Sequence, residues 1–402
     1  MLMSLSRPRP NRSLRKPVHR SVVSWGQCLV LVVALAGCAR QQPTPELPLP
    51  WPGPVAASEQ DEADSGSLQQ ASPSEDTTVE LPRPENTHGR LLSAPGLDKP
   101  ASSVKQLVVC DAVDAQFQLA MMHYHGEGVP QDAQQAAVWF RRAAERGVAE
   151  AQYNLGLLYQ RGIGVARDSV RARQWYQRAA EQGLAAAQFN LGLLYYHGEG
   201  GLRDYRQAAS WLHKAAAQAD VDAQFSLATL YEQGLGVTAS TAAAARWYRA
   251  AAEQGDAQAQ FRLAWLYFNG HGVPVDPAQA AHWFRQAAEQ GQPQAQYNLG
   301  LLYQNGHWLE RDYARAFQWY QRAAEHGVRE AQNNLGFLYA NGLGTAKDLV
   351  QGYKWYALAA RQGDEQAQTN LSETSRKMSA VQIRAARQQV RAFAARHANQ
   401  SP

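Results

Sequence analysis

The sequence predicts an all-α fold, a solenoid (superhelix) of seven 36-residue helix–turn–helix repeats with a C-terminal capping helix. Three observations predict it. Gln116, Gln152, Gln188, Gln224, Gln260, Gln296, Gln332 and Gln368 follow one another at a constant step of 36 residues. Trp139, Trp175, Trp211, Trp247, Trp283, Trp319 and Trp355 keep the same step. The ten residues 151–160, AQYNLGLLYQ, return letter for letter at 295–304. Strict self-similarity at such a period marks a repeat array, in which each unit buries its apolar face only against its neighbours.

The 402-residue chain carries a formal charge of +4, and the basic excess sits at its start. Residues 1–21 hold five arginines, Lys16 and no acid; nine apolar residues, CLVLVVALA, follow at 28–36; LAGC ends at Cys38. A basic run, a short apolar run and a small-residue cut site make a secretory signal, so residues 1–37 read as a signal peptide. The apolar run falls short of the roughly 20 residues that span a bilayer. The LAGC ending resembles the bacterial lipobox. That resemblance implies a lipid on Cys38 as a membrane anchor, and Ala39 in place of aspartate implies the outer membrane, facing the periplasm. Without residues 1–37, 33 basic residues stand against 35 acidic ones. A near-neutral body has no evident hold on a phosphate backbone, so no nucleic-acid partner is expected.

Residues 38–104 are rich in Pro, Ser, Gln and Glu, as in PTPELPLPWPGP and SEQDEADSGS. Such a stretch buries too little apolar surface to offset its ordering entropy and reads as a disordered tether. Its reach is roughly 45 Å, more where prolines stiffen it. Beyond Cys38 the only other cysteine of the mature chain is Cys110. It reads as a small packed side chain at the start of the array, with an intermolecular disulfide as the alternative.

The array is expected over 105–366, and its second unit shows how each is built. In AEAQYNLGLLYQRG, Ala151, Leu155, Leu158 and Tyr159 recur at helical spacing, and Gly162 follows where a left-handed cap needs glycine. Asp168 then stands as the N-cap or first-turn acid of a second helix. That helix places Ala172, Trp175, Tyr176, Ala179 and Ala180 on one face and stops at Gly183. Gly156, like Gly192, Gly300 and Gly336, sits inside a helix, where glycine costs about 1 kcal/mol against alanine. Close helix–helix approach, with a large aromatic opposite, is the expected reason.

The period ends in residues 367–398, read as the C-terminal cap. SAVQ at 379–382 is a capping-box pattern. Val381, Ala385, Val390 and Phe393 are expected to form the apolar face, with Arg384, Arg387 and Arg391 off it; a membrane-surface helix is the alternative.

The motifs A-x-A-Q, L-G-x-x-Y, G-x-G-V, the turn Asp and W-Y-x-x-A-A-x-x-G resemble the Sel-one-like repeat, a relative of the tetratricopeptide repeat. The resemblance covers about 115–363. It implies a right-handed solenoid of antiparallel helix pairs that serves protein–protein interaction. It also implies that the residue before each L-G pair faces a concave groove. Those positions hold Gln118, Asn154, Asn190, Ser226, Arg262, Asn298, Asn334 and Asn370. A ladder of side-chain amides suits an extended peptide, since each amide both donates and accepts; local bonding within each repeat is the alternative. Asn154, Asn190, Arg262, Asn298, Asn334 and Asn370 are the expected protein-binding residues. Arg262, Trp308 (in place of a turn glycine) and Ser240 (in place of a turn Asp) break the pattern, and specificity is expected in such departures.

No enzyme is expected. The recurring Ala, Gly, Leu, Trp and Tyr are packing residues, whereas a catalytic site needs unlike polar groups converging in one pocket. SSVK at 102–105 lacks the partner motifs of penicillin-recognising enzymes. His123 and His125 point to different faces of a helix, so no metal is expected there. No cofactor is expected either. Some cysteine-rich relatives are linked to penicillin binding, but this chain lacks their cysteine pairs. The reading is therefore a non-catalytic scaffold or adaptor of the bacterial cell envelope, with other envelope proteins as partners. The alternatives are an envelope hydrolase or penicillin-binding protein of the cysteine-rich repeat type, and a glycan-binding periplasmic module.

Overall fold

The computed structural model describes residues 80–83, 91–93, 113–306 and 308–398. The chain divides into two units, 1–74 and 75–402, and every described residue lies in the second. The expected signal peptide, Cys38, Ala39, residues 102–105 and Cys110 lie outside the described residues.

The described helices are sixteen in number, and no strand occurs among the described residues. They pair into seven repeats: α1 (Val113–His125) with α2 (Ala133–Glu145), α3 (Ala149–Arg161) with α4 (Ser169–Glu181), α5 (Ala185–His197) with α6 (Tyr205–Ala217), α7 (Val221–Gln233) with α8 (Thr241–Glu253), α9 (Ala257–Asn269) with α10 (Pro277–Glu289), α11 (Pro293–Asn305) with α12 (Tyr313–Glu325), and α13 (Arg329–Asn341) with α14 (Leu349–Arg361). An eighth first helix, α15 (Glu365–Arg376), and a terminal α16 (Ala380–Ala398) complete the set. Each helix packs on its neighbours in the chain, as a solenoid requires.

Local chemistry fixes the helix ends. Each first helix from α3 to α13 stops on a glycine in the left-handed region, Gly162 at φ 72° for example, where any other residue is strained. Each second helix but α8 starts on an aspartate whose carboxylate accepts backbone N–H groups: Asp168 accepts from Arg171 N at 2.9 Å. Ser240 does the same duty through Oγ, from Ala243 N at 3.2 Å.

The helix-interior glycines have the expected cause. A Cβ on Gly156 would lie 2.9 Å from the Tyr176 ring, on Gly192 2.8 Å from Leu212, and on Gly336 2.8 Å from Tyr356. The large residue opposite is the one after the tryptophan. Tyr176, Leu212 and Tyr320 are buried, whereas Trp175, Trp211 and Trp319 are half-buried. These tryptophans carry a cation one turn on: Arg178 over Trp175 at 4.5 Å, Lys214 over Trp211 at 3.7 Å, Arg322 over Trp319 at 4.6 Å.

At the C-terminus the capping box forms, with Ser379 N donating to Gln382 Oε1 at 2.8 Å and Gln382 N to Ser379 Oγ at 3.3 Å. α16 packs on α14, where Phe393 meets Trp355 edge-on at 5.3 Å. The apolar face differs from the expected one. Ala386, Val390 and Phe393 are buried and Ile383 is half-buried, while Val381 and Ala385 point to solvent. The period of 3.6 carries the stripe through 383, 386, 390 and 393; Val381 belongs to the first turn, which overhangs the contact. No described helix is long and apolar enough to cross a membrane.

Candidate functional site

One face of the first helices holds a repeating set of side chains. It comprises the residue after the phrase glutamine, the ladder residue beside it, and the positions four and seven further on. In α3 these are Tyr153, Asn154, Leu157 and Gln160; in α5, Phe189, Asn190, Leu193 and Tyr196. Helical spacing brings them onto one side. In α3 every residue from Ala151 to Gln160 is buried, and in α11 every residue from Ala295 to Gln304.

Part of the stretch read as tether lies on α3. Leu92 N donates to Asn154 Oδ1 at 2.9 Å, and Asn154 Nδ2 donates to Leu92 O at 3.0 Å. One side-chain amide thus satisfies both backbone groups of one residue, as a neighbouring strand would. Leu91 and Leu92 pack on the apolar cluster that contains Phe117, Tyr153, Met121 and Tyr124. Residues 80–83 lie one repeat further on. Leu81, 1% exposed, joins Phe189, Leu193 and Tyr196. Pro82 O lies 3.0 Å from His197 Nε2. Burial pushes the Tyr196 phenol above its ordinary value, and a hydrogen bond with the Leu81 backbone opposes that shift. Two pieces of the expected disordered tether are therefore set against the helices, with Leu81, Leu91 and Leu92 as their apolar contacts.

The ladder residues have unlike surroundings. Asn190 Nδ2 donates to Tyr153 OH of the preceding repeat at 3.4 Å. Arg262 is half-buried, and its charge acts on the buried Tyr248 phenol. Asn298 is 4% exposed, and its Oδ1 is buried without a partner among the described residues. Asn334 is half-buried. Asn370 accepts from Gln366 Nε2 at 3.1 Å and donates to Asn333 Oδ1 at 3.0 Å. Among the described residues only Asn154 of this series bonds to an extended segment; Asn190 and Asn370 bond to helix residues. Leu81, Leu92, Tyr196 and His197 were not among the expected site residues. Their signal was present as leucines recurring in a stretch otherwise polar.

Behind this face lies a second amide series. The phrase glutamines from Gln152 to Gln332 each donate to a carbonyl of the preceding second helix, as Gln152 Nε2 does to Ala144 O at 3.1 Å. All of these but Gln296 accept from a glutamine 30 residues later, Gln182 Nε2 to Gln152 Oε1 at 2.8 Å and Gln218 Nε2 to Gln188 Oε1 at 2.8 Å for example. These bonds staple one repeat to the next.

Trp308, in the turn before α12, keeps the left-handed φ of the glycines it replaces, 66°. Its ring stands edge-on to Phe268 of the preceding repeat at 5.0 Å, with 38% of the residue exposed. No group of three or more His, Cys, Asp or Glu with metal-binding geometry occurs among the described residues.

The comparisons with known proteins agree with this architecture. The Sel1 repeat family matches seven consecutive segments, 113–148, 149–184, 185–220, 221–256, 257–292, 293–328 and 329–364. The chain belongs to the Sel1 repeat family. Among solved structures, a Sel1 repeat protein from Oxalobacter formigenes is 36% identical, with a TM-score of 0.55, over 65% of this chain and 76% of that one. The c5321 protein, a protective antigen of uropathogenic Escherichia coli strains displaying an SLR fold, is 28% identical over 70% of this chain and 84% of that one, at a TM-score of 0.41. No curated protein matches the sequence. Sel1 repeat proteins are commonly protein-interaction scaffolds and generally non-catalytic.

Proposed function

We propose that this Sel1 repeat protein is a non-catalytic scaffold of the bacterial cell envelope whose concave, amide-bearing first-helix face grips extended segments of partner proteins. The observation that carries this reading is the two-bond hold of Asn154 on the Leu92 backbone. A side chain that satisfies both backbone groups of an extended residue reads conformation, and the apolar stripe beside it reads the side chain. Hydrogen bonds of this kind each net about 0.5–1.5 kcal/mol, so useful affinity needs several together with apolar burial.

The envelope assignment rests on the sequence: the basic and apolar runs before LAGC, with Cys38 as the lipidated residue and Ala39 as the outer-membrane sorting residue. On this reading the chain is membrane-anchored through Cys38, and its partners are other envelope proteins. Metabolic labelling with a fatty-acid analogue tests the anchor; label that persists in Cys38→Ser would remove it.

The binding reading is tested by selecting extended peptides from a displayed library against the purified protein. Recovered peptides should lose binding when Asn154→Ala, Asn190→Ala and Asn298→Ala are combined in a chain that keeps its helical content. Peptides that bind the triple variant as tightly as the parent would refute the amide face. Covalent labelling by a β-lactam probe would favour the penicillin-binding alternative.

A further inference from the structure

We infer that residues 80–83 and 91–93 are a built-in competitor: the chain's own pieces occupy the partner-binding face of the first three repeats, and a partner's extended segment binds there by displacing them. The inference rests on the scaffold reading above and adds to it how access to the face is controlled.

The two pieces use equivalent positions of the array. Leu81 joins Phe189, Leu193 and Tyr196 of α5. Leu91 and Leu92 join the cluster that holds Phe117, Met121 and Tyr124 of α1. Those three stand at the same helix positions as Phe189, Leu193 and Tyr196, two repeats earlier. A segment that only closed the end of the solenoid would cover the first repeat alone. This one renews its leucine contact where the array renews its surface, as a ligand of a periodic face does. The pieces also run against the order of the repeats, Leu81 on α5 and Leu92 on α3. A partner segment that replaces them is expected to lie in the same direction.

The contacts are those an extended peptide makes, backbone groups held by side chains and leucines set in apolar surface. Both Asn154 Oδ1 and Asn154 Nδ2 are taken by Leu92, so a partner strand can use that amide only after residues 91–93 leave. The carbonyl of Pro82 holds His197 Nε2 in the same way one repeat on. None of these bonds belongs to the ladder of a helix, so the pieces can leave while the helices stay folded. Tethering supplies a local concentration of roughly millimolar, so contacts that hold a free peptide weakly keep the face occupied in the intact chain. A face covered this way binds in proportion to the fraction of chains in which it is open.

The test uses the full chain, a variant combining Leu81→Asp and Leu92→Asp, and a fluorescent peptide of residues 78–95, TVELPRPENTHGRLLSAP. Both substitutions lie outside the helices, so helical content should not change. Polarisation should show saturable peptide binding to the double variant and binding at least about tenfold weaker to the parent. Adding Asn154→Ala to the double variant should weaken the peptide by at least about fivefold. Equal binding to parent and double variant, no binding to either, or binding that ignores Asn154→Ala would each overturn the inference. Peptides from the displayed library separate it from the scaffold reading. Recovered peptides should prefer the double variant by the same factor, and at saturation they should speed amide exchange across 91–93 of the parent. Recovered peptides that need Asn154 yet bind both chains equally would overturn the competitor and leave the scaffold reading standing. A library that yields no peptide on either chain would remove both.

Discussion

Asn154 holds Leu92 by both backbone groups, the amide on Oδ1 at 2.9 Å and the carbonyl on Nδ2 at 3.0 Å. Asn154→Ala removes both bonds at once. At about 0.5–1.5 kcal/mol each, their loss should speed amide exchange across 91–93 by roughly tenfold or more. Exchange in the core of α5 to α14 should stay slow, because the segment docks on the helices without being part of their ladder. Hydrogen-exchange mass spectrometry on the peptide spanning 85–95 reads this directly. Equal exchange in the parent and the Ala variant would mean that the hold does not persist in solution.

His326 interrupts the buried amide series. At the equivalent position Gln182, Gln218, Gln254, Gln290 and Gln362 each donate to the phrase glutamine of their repeat, Gln290 Nε2 to Gln260 Oε1 at 2.8 Å and Gln362 Nε2 to Gln332 Oε1 at 2.9 Å. Where His326 stands, Gln296 Oε1 is buried without a partner among the described residues. An unsatisfied buried acceptor costs about 1–3 kcal/mol. His326→Gln should therefore stabilise the array by about 1 kcal/mol and raise Tm by about 2–4 °C. Thermal unfolding followed by circular dichroism checks it, and an unchanged or lower Tm would count against the series as a staple.

The period made the fold legible because packing is what recurs. Gly156 opposite Tyr176, Asp168 at a helix start and Gly162 at a helix end are demands of local geometry, and they repeat wherever that geometry does. The capping box at Ser379 and Gln382 is equally local. The face of α16 departs from the sequence expectation at Val381 and Ala385, since one helix has no second copy from which to fix its phase. The site was less legible for a related reason. Asn154 and Asn298 sit in identical phrases, and no letter within 151–160 says that Leu92 will lie on one of them. That contact spans 62 residues of sequence and arises from two short apolar pieces in a polar stretch. Composition averaged over 38–104 conceals them.

Gly300 stands against Tyr320, and a Cβ there would lie 2.7 Å from the ring. Gly300→Val should destabilise the chain by about 1–3 kcal/mol through overpacking, since Tyr320 is buried and has nowhere to swing. Ala228, at the same position two repeats earlier, faces Tyr248 and tolerates its methyl group. Ala228→Gly should cost about 1 kcal/mol for the ordinary helix-propensity reason. Urea unfolding of the two variants separates the effects; a neutral Gly300→Val would show that the helices part easily at this crossing.

Asp220 caps α7 through Ala223 N at 2.8 Å while half-buried at the junction with the preceding repeat. Burial raises its pKa to about 6; the bond from Ala223 opposes the rise and the Asp222 charge adds to it. A folded-state pKa above the unfolded value means that the native chain binds the proton more tightly. Stability should then fall as pH rises from about 4 to about 6, the reverse of a salt-bridged carboxylate. Asp256 is raised for the same first reason, burial, and also feels Asp222, so the two titrations add. Asp220→Asn keeps an acceptor for Ala223 N without the charge. It should stabilise the chain by about 1–2 kcal/mol at pH 7, with the gain shrinking to nothing near pH 4. Chemical unfolding of the parent and the Asn variant at pH 4, 5, 6 and 7 measures the difference. A gap that does not widen with pH would show that Asp220 is ionised at little cost.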